Sequence, residues 1–470
     1  MKKIFYLLIS VFIFQTISVN QSEAIPVFAR KYRTSCSTCH IVVFKRNAFG
    51  EAFRKNGFRI PGDDEFFIKE TPVKLGAEAW KRKFPDAIWP GLLPQTVPIS
   101  FYSHLRAIML EDAGSKPDFT FKAHELEMLI GGTFGQRISF FGTWLVFEEG
   151  HSAEDIGRLG ELFVQFNDIL DVFDSFGENI FNIKFGRMEI GAIQSFKEDN
   201  RITLAHYKTN DYKVDKFNLR KQQSGIEANG ILFDRLDYSV GVVNGNLVSV
   251  KDNNDHKDVF WRVAYKLFGM SLTGMGPEGE ALNTSENWRD DSIQVAVFGY
   301  HGDSNFENPG TTTTTITLPG PPPVPVTVVV PKSDSIGRHE FRRMGVDLRA
   351  LYSRFELGFA FVKGTDNMMP LMSPIVGPGF ADIDSYVYFI EGQAMIFPWL
   401  YAVVRYEDET WEQDSPTMKD VTIKDVENLV LNLTVLQRAN VRWSFEGLIY
   451  LNDDLHKKSN TGKINLLFAF

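Results

Sequence analysis

The residues most able to do chemistry are Cys36-Ser37-Thr38-Cys39-His40. This is the C-x-x-C-H pattern of covalent haem attachment. Two thiols three positions apart can form thioethers to the two vinyl groups of one porphyrin. The histidine that follows is then held beneath the iron as its proximal ligand. Three other readings compete. A thioredoxin-like redox pair needs a surrounding βαβ pattern, which the sequence lacks. A lone disulfide has no use for His40, and a zinc site needs further Cys or His nearby. The expectation is one haem c, with Cys36, Cys39 and His40 as its attachment and ligand residues.

Between Ile41 and Ser103 there is neither His nor Met, the usual sixth ligands of a c-type haem. Either the iron is five-coordinate or its second axial ligand comes from outside this region. His104 is the nearest candidate, although it suits a polar wall equally well, and lysine or water could also take the place.

The motif needs a compartment and a scaffold. Lys2 and Lys3, the apolar run Ile4 to Phe14, and Ser22-Glu23-Ala24 read as a secretory signal over 1–24. Export fits haem attachment outside the cytoplasm. Residues 25–95 read as a small haem domain. Phe44, Ala48, Ala52 and Phe53 recur at helical spacing within Val43 to Asn56, and Pro61-Gly62 ends the segment. This head carries 13 Lys/Arg against 7 Asp/Glu, whereas the whole chain has a net charge of −9. A basic head joined to an acidic body is expected to dock on it, and a basic head also suits the anionic propionates of a haem.

From Val97 the hydropathy period becomes two. Val97, Ile99, Phe101, Leu105, Ala107 and Met109 share an apolar face, while Ser100, Tyr102, His104 and Arg106 share a polar one. That is the alternation of a membrane β-strand, apolar toward lipid and polar toward a lumen. About sixteen such segments follow, at 97–110, 119–134, 138–148, 161–168, 180–188, 224–232, 235–244, 258–274, 292–303, 339–352, 355–364, 385–396, 399–408, 425–436, 439–451 and 463–470. Connections alternate long and short, as the outer loops and periplasmic turns of such barrels do, although 169–179 and 275–291 are long for the periplasmic side. Ile464, Leu466, Phe468 and Phe470 alternate to a terminal aromatic, as bacterial barrels do. The fold expected is mainly β: a transmembrane barrel over 96–470 behind a small α-helical haem domain.

The long segments read as solvated outer loops. Thr311 to Pro331 is low-complexity and proline-rich, which suggests flexibility. The acidic runs Glu148-Glu149, Glu154-Asp155, Glu407-Asp408-Glu409 and Asp453-Asp454 fall in these loops or beside them. So do His151, His206, His256, His301, His339 and His456. Such clusters can gather cations, but more often they keep loops soluble. Met368, Met369 and Met372 invite the same two readings, a soft-metal patch or a partly buried loop.

With these residues in view, the chain resembles the fused outer-membrane cytochrome c–porins, a family that includes monohaem Fe(II) oxidases. The resemblance rests on Phe28-Ala29-Arg30, Cys36 to His40, Asn47-x-Phe49-Gly50, Phe53 and Gly57. The iron-oxidising version commonly has Pro and Leu where this chain has Phe44 and Arg46. The resemblance implies an electron conduit in a Gram-negative outer membrane, its haem domain on the periplasmic side or inside the barrel. Its partners would be outer-membrane lipid, periplasmic c-type cytochromes or other electron carriers, and extracellular Fe(II) or another redox partner. No nucleic acid is expected. Outer-sphere electron transfer needs no acid–base residues, so no catalytic group is expected even for an Fe(II):cytochrome c oxidoreductase. The other reading is a diffusion porin whose haem head is a plug or docking module.

Overall fold

Sixteen of the strands in the computed structural model close into one antiparallel barrel. The structure describes residues 27–470 apart from 63, 71–72, 76–81, 84–90, 95–96, 112–118, 150–156, 171–177, 194, 198–199, 214–216, 246–254, 276–288, 319–323, 374–376, 416–417 and 453–458. The signal segment therefore lies outside the described residues, as do Glu154-Asp155, Asp453-Asp454, His151 and His456.

The head comprises α1 (Val27–Tyr32), a short 3-10 turn (Cys36–Thr38), α2 (Ala48–Lys55) and α3 (Asp64–Phe67). A two-stranded sheet of β1 (Val73–Leu75) and β2 (Gly91–Leu93) follows, an addition to the helical head expected from the sequence. The barrel runs β3 (Ile99–Leu110), β4 (Phe119–Phe134), β5 (Ile138–Glu148), β6 (Arg158–Phe166), β7 (Asn182–Glu189), β8 (Gln222–Leu232), β9 (Leu236–Val243) and β10 (Asp258–Leu267). It continues with β11 (Ser292–Leu318), β12 (Val324–Tyr352), β13 (Phe355–Ser373), β14 (Gly377–Phe397), β15 (Leu400–Ser415), β16 (Met418–Arg438), β17 (Val441–Asn452) and β18 (Thr461–Ala469). Each pairs with its neighbour, and β18 pairs with β3. Phe101 and Phe470 exchange backbone hydrogen bonds of 2.7 and 2.8 Å at this seam.

Period two explains the wall. On β10, Asp258, Phe260, Arg262, Ala264 and Lys266 are buried inward, while Val259, Val263, Tyr265 and Leu267 are exposed outward. The same apolar exterior recurs at Ile293, Val295 and Val297, and at Leu431 and Leu433. A strand ladder without edges and an apolar exterior are what a lipid-embedded cylinder requires.

All sixteen expected segments contain a strand, although the one expected over 258–274 stops at Leu267 and 268–274 form turns; three long loops, however, are not loops. Residues 304–338, 365–384 and 409–424 are largely paired as extensions of β11–β12, β13–β14 and β15–β16. The described part of the Thr311–Pro331 tract, expected to be flexible, is a ladder in which Thr313 pairs with Val329 and Ile316 with Val326. Thr and Val are β-branched and favour extended backbone. Prolines are tolerated on edge strands, where no inner neighbour needs the missing N–H. With 27 residues, β11 spans roughly 90 Å at about 3.3 Å per residue, far beyond an apolar band of about 25 Å. Met368, Met369 and Met372 therefore lie on β13 rather than in a loop, and His339, at the start of its expected strand, pairs with Ser304.

Residues 190–221, expected as an outer loop, fold inward instead. Phe196, Tyr207, Tyr212 and Phe217 pack with Phe260, Phe298, Phe341 and Phe389 of the barrel wall. The short α4 (Lys208–Asp211) belongs to this inward segment. The head fills the opposite end, where the short turns lie.

A lysine at Val263, in the middle of the outward face, should lower barrel stability by about 2–4 kcal/mol. Urea titration of the protein folded in lipid vesicles reads this. A cost near zero would mean that β10 does not face lipid.

Candidate functional site

The head begins with an aromatic cluster. Phe28 lies edge-on to Phe53 (ring centroids 5.2 Å) and stacked on Phe58 (5.3 Å), and Tyr32 meets Phe53 at 5.8 Å. Phe58 stacks in turn on Phe141 of β5 (5.4 Å), so the cluster is shared with the wall.

Cys36 opens the 3-10 turn, capped by the Ser35 side chain, and the turn tightens as the N–H groups of Cys39 and His40 donate to the Cys36 carbonyl (3.2 and 2.9 Å). Both thiols thus project from one turn. The His40 imidazole Nδ1 lies 3.2 Å from the Phe44 carbonyl. A carbonyl accepts only from N–H, so this contact places the proton on Nδ1 and the lone pair on Nε2, the form that ligates a metal. Burial pushes the Cys36 thiol up to about 11. Burial, reinforced by Cys36, pushes Cys39 up to about 12.

The helix expected over Val43 to Asn56 starts only at Ala48, because Asn47 caps it. The Asn47 side chain accepts from the Gly50 N–H (2.8 Å) and donates to the Thr38 carbonyl (3.0 Å), while its own N–H donates to the Cys39 carbonyl (3.0 Å). One residue therefore binds α2 to the C-x-x-C turn. Gly50 permits this approach: a Cβ there would lie 2.1 Å from the Cys39 oxygen. At the other end Gly57 adopts φ +64°, with Phe58 N–H to Phe53 O (3.0 Å) and Gly57 N–H to Arg54 O (3.2 Å), the paired bonds of a glycine-terminated helix.

The basic head docks on the acidic body, as the charge division led us to expect. Lys45 Nζ lies 2.6 Å from Glu356, which also receives Arg349 through two bonds of 3.0 Å. Lys55 reaches Asp237 (2.5 Å) and Arg59 reaches Asp168 (2.7 Å). The connection 169–179, long for a short turn, serves this docking: Asn179 donates to Asn56. Gly274, expected as the end of a strand, instead lies against Pro61 and Ala52.

Cys36, Cys39, His40 and His104 line one cavity of about 1260 Å³. Its wall extends to Glu148, Arg158 and Tyr450, at or near strand ends opposite the short turns, and to Lys424 where the β15–β16 hairpin extends beyond its expected strands. Phe44 meets Tyr102 (4.7 Å), whose ring lies 6.5 Å from His104. His104 is buried. Asn465 Nδ2 donates to its Nε2 (3.0 Å), and its Nδ1 has no hydrogen-bond partner, with Glu125 at 3.6 Å. His104, His124 and Glu125 together place three potential metal donors within 4.8 Å. His124 and Glu125 were not singled out in the sequence; their position opposite His104 follows only from strand register. His206, expected in an outer loop, instead lines the cavity and bonds Arg220 (2.8 Å).

No protein-family model matches the chain, and no curated protein matches it. Solved structures do. The OmpF porin of Salmonella typhi, in complex with daunomycin, is similar over 79% of this chain and 97% of its own, with TM-score 0.51 and 10% identity. The outer-membrane channel DcaP of Acinetobacter baumannii (79% and 96%, 0.50, 10%) and an anion-selective porin from Comamonas acidovorans (80% and 99%, 0.50, 10%) are similar to the same degree. The likeness shows a porin-like barrel fold.

Replacing Glu356 with Ala leaves Lys45 buried beside Arg349 without their carboxylate, at a cost of about 3–5 kcal/mol. Faster amide exchange across residues 41–56 would report the head loosening. Asn47→Ala should cost about 0.5–2 kcal/mol as a lost cap, and Gly50→Ala should be worse, because its Cβ must displace backbone. Equal effects of the two would contradict the close approach. Burial opposes ionisation of Glu51, but Arg46 at 2.9 Å and the cations beyond it hold its carboxyl down at about 2. Its contribution is complete above the unfolded value of about 4.3 and is lost as pH falls toward 2. Near-ultraviolet dichroism of the head aromatics across that range should show loosening that Glu51→Gln lacks.

Proposed function

We propose that this protein is an outer-membrane, porin-fold barrel plugged by a monohaem cytochrome c head, passing electrons between the cell exterior and periplasmic carriers. One observation carries the reading: the cavity lined by Cys36, Cys39 and His40 continues along the barrel interior to the long-hairpin end. One haem is a short wire against an apolar band of about 25 Å. A head hanging below the barrel would leave the outer surface out of reach, whereas a head inside it shortens the gap.

The residues present fit a haem. The cavity exceeds the roughly 300–1,000 Å³ of ordinary small-molecule sites. The Phe44 carbonyl sets His40 in the ligating tautomer, and His104 lines the same cavity with its Nε2 lone pair held by Asn465, a bond it would exchange for the iron. Cys36 and Cys39 would hold the group covalently, His40 would ligate its iron, and His104 is the candidate sixth ligand. Bound there, haem supplies reversible one-electron chemistry. The chain's contribution is to fix the ring by α2 and Asn47 and to exclude water with Phe28, Phe53 and Phe58. The lumen wall leaves the side toward the long hairpins open.

The fold likeness to porins favours a second reading, a diffusion porin with the head as plug or docking module. Against an open pore stand the inward-facing Phe260, Arg262, Phe298, Arg343 and Arg405, all buried, with the inward loop packed against them.

Protein purified from outer membranes of cells competent in cytochrome maturation should stain for covalent haem and show a reduced-minus-oxidised spectrum. Cys36→Ser/Cys39→Ser protein should be colourless. In liposomes, external dithionite or Fe(II) should reduce the haem while enclosed small dyes are retained. Rapid dye leakage without haem reduction would favour the diffusion porin. A colourless wild-type protein would overturn the haem reading.

A further inference from the structure

Buried guanidiniums in this lumen are, as a rule, matched by carboxylates. Arg262 bonds Asp347 (3.1 Å), Arg343 bonds Asp366 (2.9 Å), Arg349 bonds Glu356, and Arg405 lies between Glu391 (3.2 Å) and Glu407 (3.1 Å). One stretch of wall breaks the rule. Arg442 on β17 is 3% exposed, and its hydrogen bonding amounts to one long contact from Nη1 to the Ile202 carbonyl (3.5 Å), with Nε unpartnered. Arg106 on β3 donates to the neutral Asn465 side chain (3.0 Å). Among the described residues, neither arginine nor Lys463 on β18 has a carboxylate within 4 Å.

The neighbouring carboxylate, Glu446, is already engaged. It accepts from the Leu204 and Ala205 N–H groups (2.6 and 2.7 Å) and from Asn432 (3.0 Å). Glu446 is thus the carboxylate common to Arg106, Arg442 and Lys463, and the inward loop has taken it; Glu125 and Glu148 act on Arg106 from farther off, while Arg201 adds a fourth positive charge. Strand register puts them together: His104 faces Leu467, which faces Arg442, and the next inward row is Arg106, Asn465 and Ser444. Arg106, Arg442 and Lys463 all line the cavity that holds Cys36, Cys39 and His40. Arg442 is buried, while Arg106 and Lys463 are half-buried; a buried charge without a counter-charge is costly, and elsewhere in this lumen the cost is avoided by pairing. An occupant bearing carboxylates would restore the balance here. Guanidinium forks suit carboxylates geometrically, and a haem carries two on one edge.

We propose that Arg442, Arg106 and Lys463 receive the haem propionates, turning that edge of the ring toward β17, β18 and β3. This rests on the reading that haem fills the cavity, and it adds which way the ring faces. A free anion such as phosphate or citrate shares the chemistry and is the other possible source.

The test uses holoprotein with haem carboxylates labelled with 13C, folded in detergent and checked by the heat-dependent gel shift of intact barrels. Arg442→Gln and Arg106→Gln should keep covalent haem at wild-type stoichiometry. Each should shift the labelled carboxylate stretch in the infrared and lower the haem midpoint potential, since removing a nearby cation disfavours the added electron. Arg442→Lys should retain most of both signals. Two variants guard against one failing to fold. Coloured variants with unmoved band and potential would overturn this inference while leaving the haem reading intact. A colourless wild-type protein would overturn both. Binding of phosphate or citrate to the holoprotein, lost in Arg442→Gln, would assign the wall to a free anion and overturn the propionate assignment.

Discussion

Backbone that crosses lipid must satisfy its own N–H and C=O groups, and everything else in this molecule follows from how it does so. Sixteen strands pair around a full circle, and the last meets the first at Phe101 and Phe470. Closure fixes the side-chain alternation, so every second residue enters a confined interior. Those interior positions carry charges and aromatics in quantity, and an enclosed charge needs a partner as much as an enclosed amide does. The lumen is therefore crowded with ion pairs and with two pieces of chain that supply and bury them.

Those two pieces divide the space unequally. The segment 190–221 packs its aromatics against Phe260, Phe298, Phe341 and Phe389. The head enters from the other end and fastens through Lys45, Lys55 and Arg59 to carboxylates of the wall and its connections. Between them the cavity survives on the side of β3–β6 and β16–β18. The C-x-x-C-H turn borders it because Asn47 and Gly50 hold that turn on α2, and the Phe28–Phe53–Phe58 cluster holds α2 on the wall.

Much of this was legible beforehand. Alternation located all sixteen strands, because a wall between lipid and a polar lumen imposes period two on every residue. The Asn47-x-Phe49-Gly50 pattern was visible too, and its meaning appeared only with the contact to Cys39. The start of α2 was misplaced because Phe44 fits helical spacing, although Asn47 is a cap residue in plain sight. The Thr311–Pro331 ladder was missed because prolines and repeated threonines look like a linker, while their pairing depends on a partner strand. The inward course of 190–221 has no local signature: its aromatics are buried by strands up to about 190 residues away in sequence. Likewise His104 was visible as a residue, but His124, Glu125 and Arg442 become its neighbours only through register.

The seam between β18 and β3 joins the two ends of the barrel sequence, so the cylinder cannot be finished until the whole chain is present. The head, by contrast, comes first in the chain, yet Lys45 is held by Glu356 on β13, 311 residues later. Its seat is complete only once most of the wall has been made, as a stopper fits only a finished neck.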